Sequence, residues 1–133
     1  MTIINLDVTL QLDPDGKKDP TAVVKDAEVE RSGMPAVIVW RLKGANAKNA
    51  RLKDLRWKPD PQNPDPNEIF SRFEPSTDGK LATMSDAHRD SSTAGEWDYK
   101  LVVVIDNKKH VCRMRKKENG GSGGSGNPNI KNN

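Results

Sequence analysis

The sequence of 133 residues has little of what builds most cores: hydrophobic residues make up 33%, aromatic residues 5%, and mean hydropathy is −0.83. No stretch approaches the ~18 consecutive apolar residues of a membrane span, which excludes a spanning helix. The lone cysteine, Cys112, excludes an internal disulfide framework and a cysteine-rich zinc site. Only two histidines occur, His88 and His110, and there is no Gly-x-Ser-x-Gly, no His-Glu-x-x-His and no phosphate-cradling glycine loop. Acid–base chemistry would fall to carboxylates in loops, where nothing obvious raises a pKa. The expectation is a protein that is not an enzyme and uses no cofactor and no metal. Met1-Thr2-Ile3-Ile4-Asn5 lacks the basic segment and apolar core of a signal peptide, and one free thiol suits the cytoplasm.

The net charge of +3 is too small to indicate a polyanion partner, but it is unevenly spread. Lys108, Lys109, Arg113, Arg115, Lys116 and Lys117 form a basic end without an acid among them. Asp60, Asp65, Glu68, Glu74 and Asp78 form an acidic middle, opposed by Arg72 alone. From Asn119 to Asn133 lie five of the ten glycines, five asparagines and one apolar side chain, Ile130. That composition predicts a flexible tail over 118–133, as native chain or as an inserted linker, following a body over 2–117.

Within the body the dominant hydrophobic period is two, the period of strands. Ile4, Leu6, Val8, Leu10 and Leu12 alternate with polar residues, and Asp13-Pro14-Asp15-Gly16 closes that run with turn chemistry. A weaker strand is expected over 22–29. Residues 36–43 are apolar on both sides, as in a central strand. Leu55 and Trp57 mark a short strand before Pro59, and 69–73 and 81–84 are short candidates around the Pro75–Gly79 turn. Trp97, Tyr99, Leu101, Val103 and Ile105 form the strongest pattern, and 110–115 is its hairpin partner. The prediction is an all-β chain: one antiparallel β-sandwich of seven to eight short strands with a disordered C-terminal tail. Pro59, Pro61, Pro64 and Pro66 make the intervening segment a stiff, extended loop rather than a strand.

Several clusters point toward sites but have plainer readings. Asp13, Asp15 and Asp19 surround Gly16, yet the glycine falls at the fourth place and the twelfth is Val24, which is not an EF-hand spacing. Asp86, His88 and Asp90 would share one face of an extended segment and suit a divalent ion, but they read better as solvated loop residues. The basic end, with Lys108, Lys109, Arg113 and Arg115, would suit nucleic acid or another anionic polymer. Edge protection is the favoured account, and no aromatic residue lies there for base stacking. Trp40 and Trp97 fall on apolar faces and belong in the core. Trp57, beside Lys58, Asp60 and the proline loop, is the one candidate binding aromatic, for carbohydrate. Cys112 alternates with His110 and Met114 and reads as a small buried hydrophobe.

Gly95-Glu96-Trp97-Asp98-Tyr99-Lys100-Leu101-Val102-Val103 resembles the Gly-x-aromatic-x-Tyr-x-apolar-x-Val entry into the penultimate strand of bacterial immunoglobulin-like domains. The resemblance implies an immunoglobulin-like sandwich in which Trp97 or Tyr99 seals a corner. More loosely, the chain resembles the small bacterial and phage proteins grouped as the DP-EP family, which are uncharacterised one-domain β-sandwiches ending in an Asp-Pro-x-Ile-x-Asn-like tail. The matching positions are Asp13-Pro14, Glu74-Pro75 and Asn127-Pro128-Asn129-Ile130-Lys131-Asn132, with Asn127 in place of the aspartate and a glycine run inserted before it. This likeness implies that the terminal segment is native, and it carries no catalytic residue. The function expected is an accessory module that binds a protein partner through loops or a sheet edge. Carbohydrate binding at Trp57 and anionic-polymer binding at the basic end are the alternatives.

Overall fold

A computed structural model describes residues 2–58, 65–117 and 126–133. The chain begins with β1 (Ile3–Gln11), whose alternation buries Leu6, Val8 and Leu10 on one face. The Asp13 carboxylate then accepts the N–H groups of Lys17 and Lys18 at 2.8 and 2.9 Å, folding the turn that the sequence predicts. β2 (Thr21–Val24) returns antiparallel to β1. The following strands are β3 (Ala27–Val29), β4 (Ala36–Lys43), β5 (Ala50–Trp57), β6 (Glu74–Pro75), β7 (Leu81–Asp86) and β8 (Gly95–Ile105). The last three are β9 (Lys108–Val111), β10 (Arg113–Lys116) and β11 (Asn129–Asn132).

These strands form two sheets. The first runs β10-β2-β1-β4-β7-β6, and the second runs β3-β11-β8-β5, with β9 also paired to β8. β4 is central, as its apolar faces require: it lies parallel to β1 and antiparallel to β7. Asp106 and Asn107 have φ of 50° and 67°, the double left-handed geometry of a two-residue hairpin between β8 and β9. Between the sheets, Trp40 Nε1 donates to Tyr99 Oη at 3.2 Å, and the two rings meet edge to face at 5.9 Å. Phe70 bridges Trp57 at 5.0 Å and Trp97 at 5.1 Å. Trp40, Trp97 and Cys112 all belong to the buried core. Burial pushes the Cys112 thiol up to about 12, so it stays protonated and inert.

The all-β, two-sheet architecture agrees with the period-two reading, but its pairing differs in instructive ways. The sheets are mixed, not wholly antiparallel, because β1–β4, β2–β10 and β3–β11 run parallel. Eleven strands replace seven or eight among the described residues, chiefly because two expected strands change sheets midway. The 22–29 run breaks at Lys25-Asp26 into β2 and β3, and the 110–115 run breaks at buried Cys112 into β9 and β10. Residues 69–73 make only one isolated bridge, Phe70 to Asp86. The largest correction concerns the tail. Residues 129–132 are an inner strand, since Ile130 offers a core side chain and the ladders on both sides satisfy the backbone. The part of the expected flexible tail over 118–125 lies outside the described residues.

Candidate functional site

The feature with most chemistry is the groove between β3 and β8, which β11 fills. Asn129, Ile130, Lys131 and Asn132 pair antiparallel with Asp98, Trp97, Glu96 and Gly95 of β8. On the other flank, Ile130, Lys131 and Asn132 pair parallel with Ala27, Glu28 and Val29 of β3. Strand alternation turns Ile130 and Asn132 inward and Lys131 outward. Ile130 is fully buried beside Ala27 and Trp97. Asn132 lies opposite Gly95, where an added Cβ would come within 3.1 Å of the Trp97 ring. The glycine thus leaves the neighbouring space to the indole and to the strand that docks there.

Both ends of β11 are tied by polar contacts. At its start Asn129 N–H donates to the Asp26 carboxylate at 2.8 Å, and the Gly126 carbonyl accepts from Lys116 N–H at 2.9 Å. At its inner end, Asn132 Nδ2 donates to Asp86 Oδ1 at 3.1 Å and to the Thr93 carbonyl at 2.8 Å. The main-chain oxygen of Asn133 accepts from His88 Nε2, whose Nδ1 lies 2.8 Å from Thr93 Oγ1. Burial pushes the Asp86 carboxyl up to about 6, opposed by the Asn132 hydrogen bond and by His88. Asp86 Oδ2 and Asn132 Oδ1 are both buried without a hydrogen-bond partner. A buried network left one proton short is an uncommon arrangement in a β-sheet core.

Asp86 and His88 are therefore not the solvated loop residues that the sequence suggests; they are 0% and 2% exposed. Nor do they join Asp90 around an ion. Asp90 accepts the Ser92 N–H at 2.9 Å and caps the short 3-10 turn over Ser91–Thr93. Among the described residues no group of histidine, cysteine, aspartate or glutamate is placed to hold a metal.

The other sequence candidates are distributed between two separate places. Trp57 and Lys58 line a cleft of about 580 Å³ with Arg56, Asp98, Lys100 and Asn127. Trp57 is half-buried because one side leans on Phe70, while Lys58 reaches Asp98 at 3.8 Å. Asp60 lies outside the described residues. The basic end does not form one stripe: Lys108 and Lys109 belong to β9 in the second sheet, whereas Arg113 and Arg115 belong to β10 in the first. Arg113 Nε donates to the Asp19 carbonyl at 3.0 Å. Instead, Lys109 converges with Arg51, Lys53 and Arg72 on a cleft of about 550 Å³ in which Asp54 is the lone acid. That grouping is not visible along the sequence, because its members come from β5, β9 and the segment before β6.

No protein-family model and no curated protein sequence matches the chain. Among the described residues no helix is long and apolar enough to cross a membrane.

Proposed function

We propose that the protein is a non-enzymatic interaction module that engages a protein partner by strand addition in the groove between β3 and β8. Its partner is a second copy of the chain lending its own residues 127–133. The observation that carries this reading is the seating of β11, a strand paired on both flanks yet joined to the body through a glycine-rich run of sequence. Strand addition takes affinity from the main-chain ladder and selectivity from the pockets under alternate side chains. A second copy offers the same ladder and pockets, so exchange between copies leaves the contact set unchanged. The Lys116 to Gly126 hydrogen bond holds the two ends of the connecting run together, so in the closed monomer it has no distance to span. An immunoglobulin-like classification, and more narrowly a likeness to the DP-EP group, forms part of the same proposal. It draws on the two packed sheets and the terminal Ile-x-Asn segment.

The test is removal of residues 117–126 from the full chain, which leaves no residue between Lys116 and Asn127 to turn the chain from β10 back into its own groove. Light scattering should then report a dimer in which Ile130 remains protected. A folded monomer, with Ile130 either exposed or protected, would overturn the proposal. A fluorescent peptide of residues 126–133, added to full-length Ile130→Asp, supplies an independent measurement. It should bind the folded variant, and absence of binding counts against the groove. The cleft formed by Arg51, Lys53, Arg72 and Lys109 supports a second reading, the docking of an anionic polymer. Oligonucleotide binding that weakens steeply with salt and is lost in Arg51→Ala and Lys109→Ala would favour it.

A further inference from the structure

Two side chains of β11 face the core, and they pose different physical problems. Ile130 is what an inward position of a strand ordinarily carries. Asn132 is not, because a carboxamide that is 3% exposed is tolerated only where its donors and its acceptor are met. Its two Nδ2 hydrogens are met, by Asp86 Oδ1 and by the Thr93 carbonyl. Its Oδ1 is not, and neither is Asp86 Oδ2. These two unmet acceptors belong to the two groups already joined by the 3.1 Å bond. One proton on Asp86 Oδ2 serves both at once: the acid and the amide then donate to and accept from each other, while the second Nδ2 hydrogen stays on the Thr93 carbonyl.

We infer that the inner end of the groove is a carboxamide-reading pocket, in which Asp86 and the Thr93 carbonyl select an asparagine two residues after an apolar anchor. The ligand class is an extended segment of pattern apolar-x-Asn, of which Ile130-Lys131-Asn132 is the copy in this chain. The inference rests on the strand-addition reading and specifies what the groove accepts. The elevated pKa of Asp86, about 6, is in the direction that protonation of Oδ2 requires. His88, two residues along, is the titratable neighbour acting on it, and it acts in the opposite sense. Asp86 faces Ala36 of β4 and bridges to Phe70, neither of which brings a charge, and Thr93 and Asn132 are neutral. His88 sets the depth of the docked strand by donating to the Asn133 oxygen.

The pocket discriminates by what each rival leaves unpaired. Leucine is similar in size to asparagine but strands both Asp86 oxygens and the Thr93 carbonyl. Aspartate removes both Nδ2 hydrogens and sets a second acid against Asp86. Glutamine carries the same group one methylene too far.

The experiment uses the full-length chain with a protease site in place of residues 122–125, cut after folding. Labelled peptides of residues 126–133 carrying Asn, Leu, Asp or Gln at position 132 then compete for the groove at about pH 5 and about pH 7.5. Asn is expected to exceed each rival by about tenfold or more, the effect of one buried hydrogen bond lost together with an unpaired partner. Its affinity should be higher at the lower pH. In Asp86→Asn the Asn peptide should still bind, with the pH dependence gone. Equal binding of the Leu and Asn peptides, or an Asn affinity that ignores pH in the unsubstituted chain, overturns the inference while leaving strand addition standing. Failure of every peptide to enter, whatever residue it carries, overturns strand addition and this inference with it. The selectivity series on unsubstituted protein decides the matter even where Asp86→Asn does not fold.

Discussion

The two flanks of β8 are finished by opposite devices. On one side lies β5, whose outer edge is closed by the turn between β6 and β7 and by its own bulge. Leu52 N–H donates to the Gly79 carbonyl at 2.7 Å, Leu55 N–H donates to the Asp54 carboxylate at 2.8 Å, and a bulge between Leu52 and Asp54 breaks the register. Such an edge has few donors left to offer an incoming strand, which is how natural sheets avoid edge-to-edge association. On the other side, the N-terminal half of β8 faces a groove filled by residues from the far end of the sequence. An edge capped by a turn of the neighbouring sheet is closed by the fixed body; on the proposed reading, a groove filled by a separately tethered strand can be refilled. On that reading, exchange belongs to one flank and rigidity to the other.

The largest expected effect breaks the closed flank. Gly79 has φ of +70°, and an added Cβ would lie 2.4 Å from Arg51 Cβ and 2.9 Å from Arg51 Cα. Gly79→Val combines left-handed strain with a backbone clash and should cost at least about 3 kcal/mol, read as a fall in the urea midpoint. A loss below about 1 kcal/mol would show that the β5 cap is soft. The next comparison uses two isoleucines that are each fully buried, Ile38 in β4 and Ile130 in β11. Ile38→Ala should cost about 2–5 kcal/mol of global stability. Ile130→Ala should cost less globally, because undocking of β11 limits the loss, while amide exchange in β11 accelerates. Equal global losses would mean that β11 is as integral to the fold as β4.

Protonation offers a milder perturbation of the groove. Asp86 has a folded pKa raised to about 6, above the ~3.9 of an unfolded aspartate, so the folded state holds the proton more tightly. Stability should rise as pH falls from about 7 to about 5. The gain should be on the order of 1–2 kcal/mol once partial solvent screening is allowed for. Asp86→Asn should flatten that window in thermal or urea unfolding. An unchanged slope in Asp86→Asn would place the titration elsewhere.

How much of this was legible beforehand depended on whether the information was local. Strand alternation placed β1, β4, β7 and β8 within a residue or two at most ends, because burial on one face writes itself into a period of two. The hairpin after β8 was legible for the same reason, although its second strand, β9, begins at Lys108 rather than at the expected residue 110. Strands that change sheets were not, since Lys25-Asp26 and Cys112 interrupt pairing without interrupting extended backbone. β11 was obscured by composition: one apolar residue among asparagines and glycines reads as unfolded chain, and only the likeness of Asn127–Asn132 to the DP-EP tail pointed to a native segment. Asp86 and His88 lie two residues apart in a polar stretch, and nothing local reveals that a strand 46 residues further on covers them. The basic cleft failed to show for a related reason, since Arg51 and Lys53, Arg72, and Lys109 lie far apart in sequence and meet only in the fold.

The smallest effect should come from the rim of the groove. Lys131 lies opposite Glu96 on the solvent face, with Nζ and Oε1 3.9 Å apart and both side chains substantially exposed. An ion pair of that kind gains little over hydration and gives up side-chain entropy. Lys131→Ala should change stability by no more than about 0.5 kcal/mol and should leave the occupancy of the groove by β11 unaltered. The residue between Ile130 and Asn132 therefore serves as an internal control: same strand, same ladder, opposite face. If Lys131→Ala released β11 as effectively as Asn132→Leu, recognition would reside in rim electrostatics and would fade with added salt. If it did not, the inward pair alone carries the selectivity, and the outward position is free to vary in any segment that docks there.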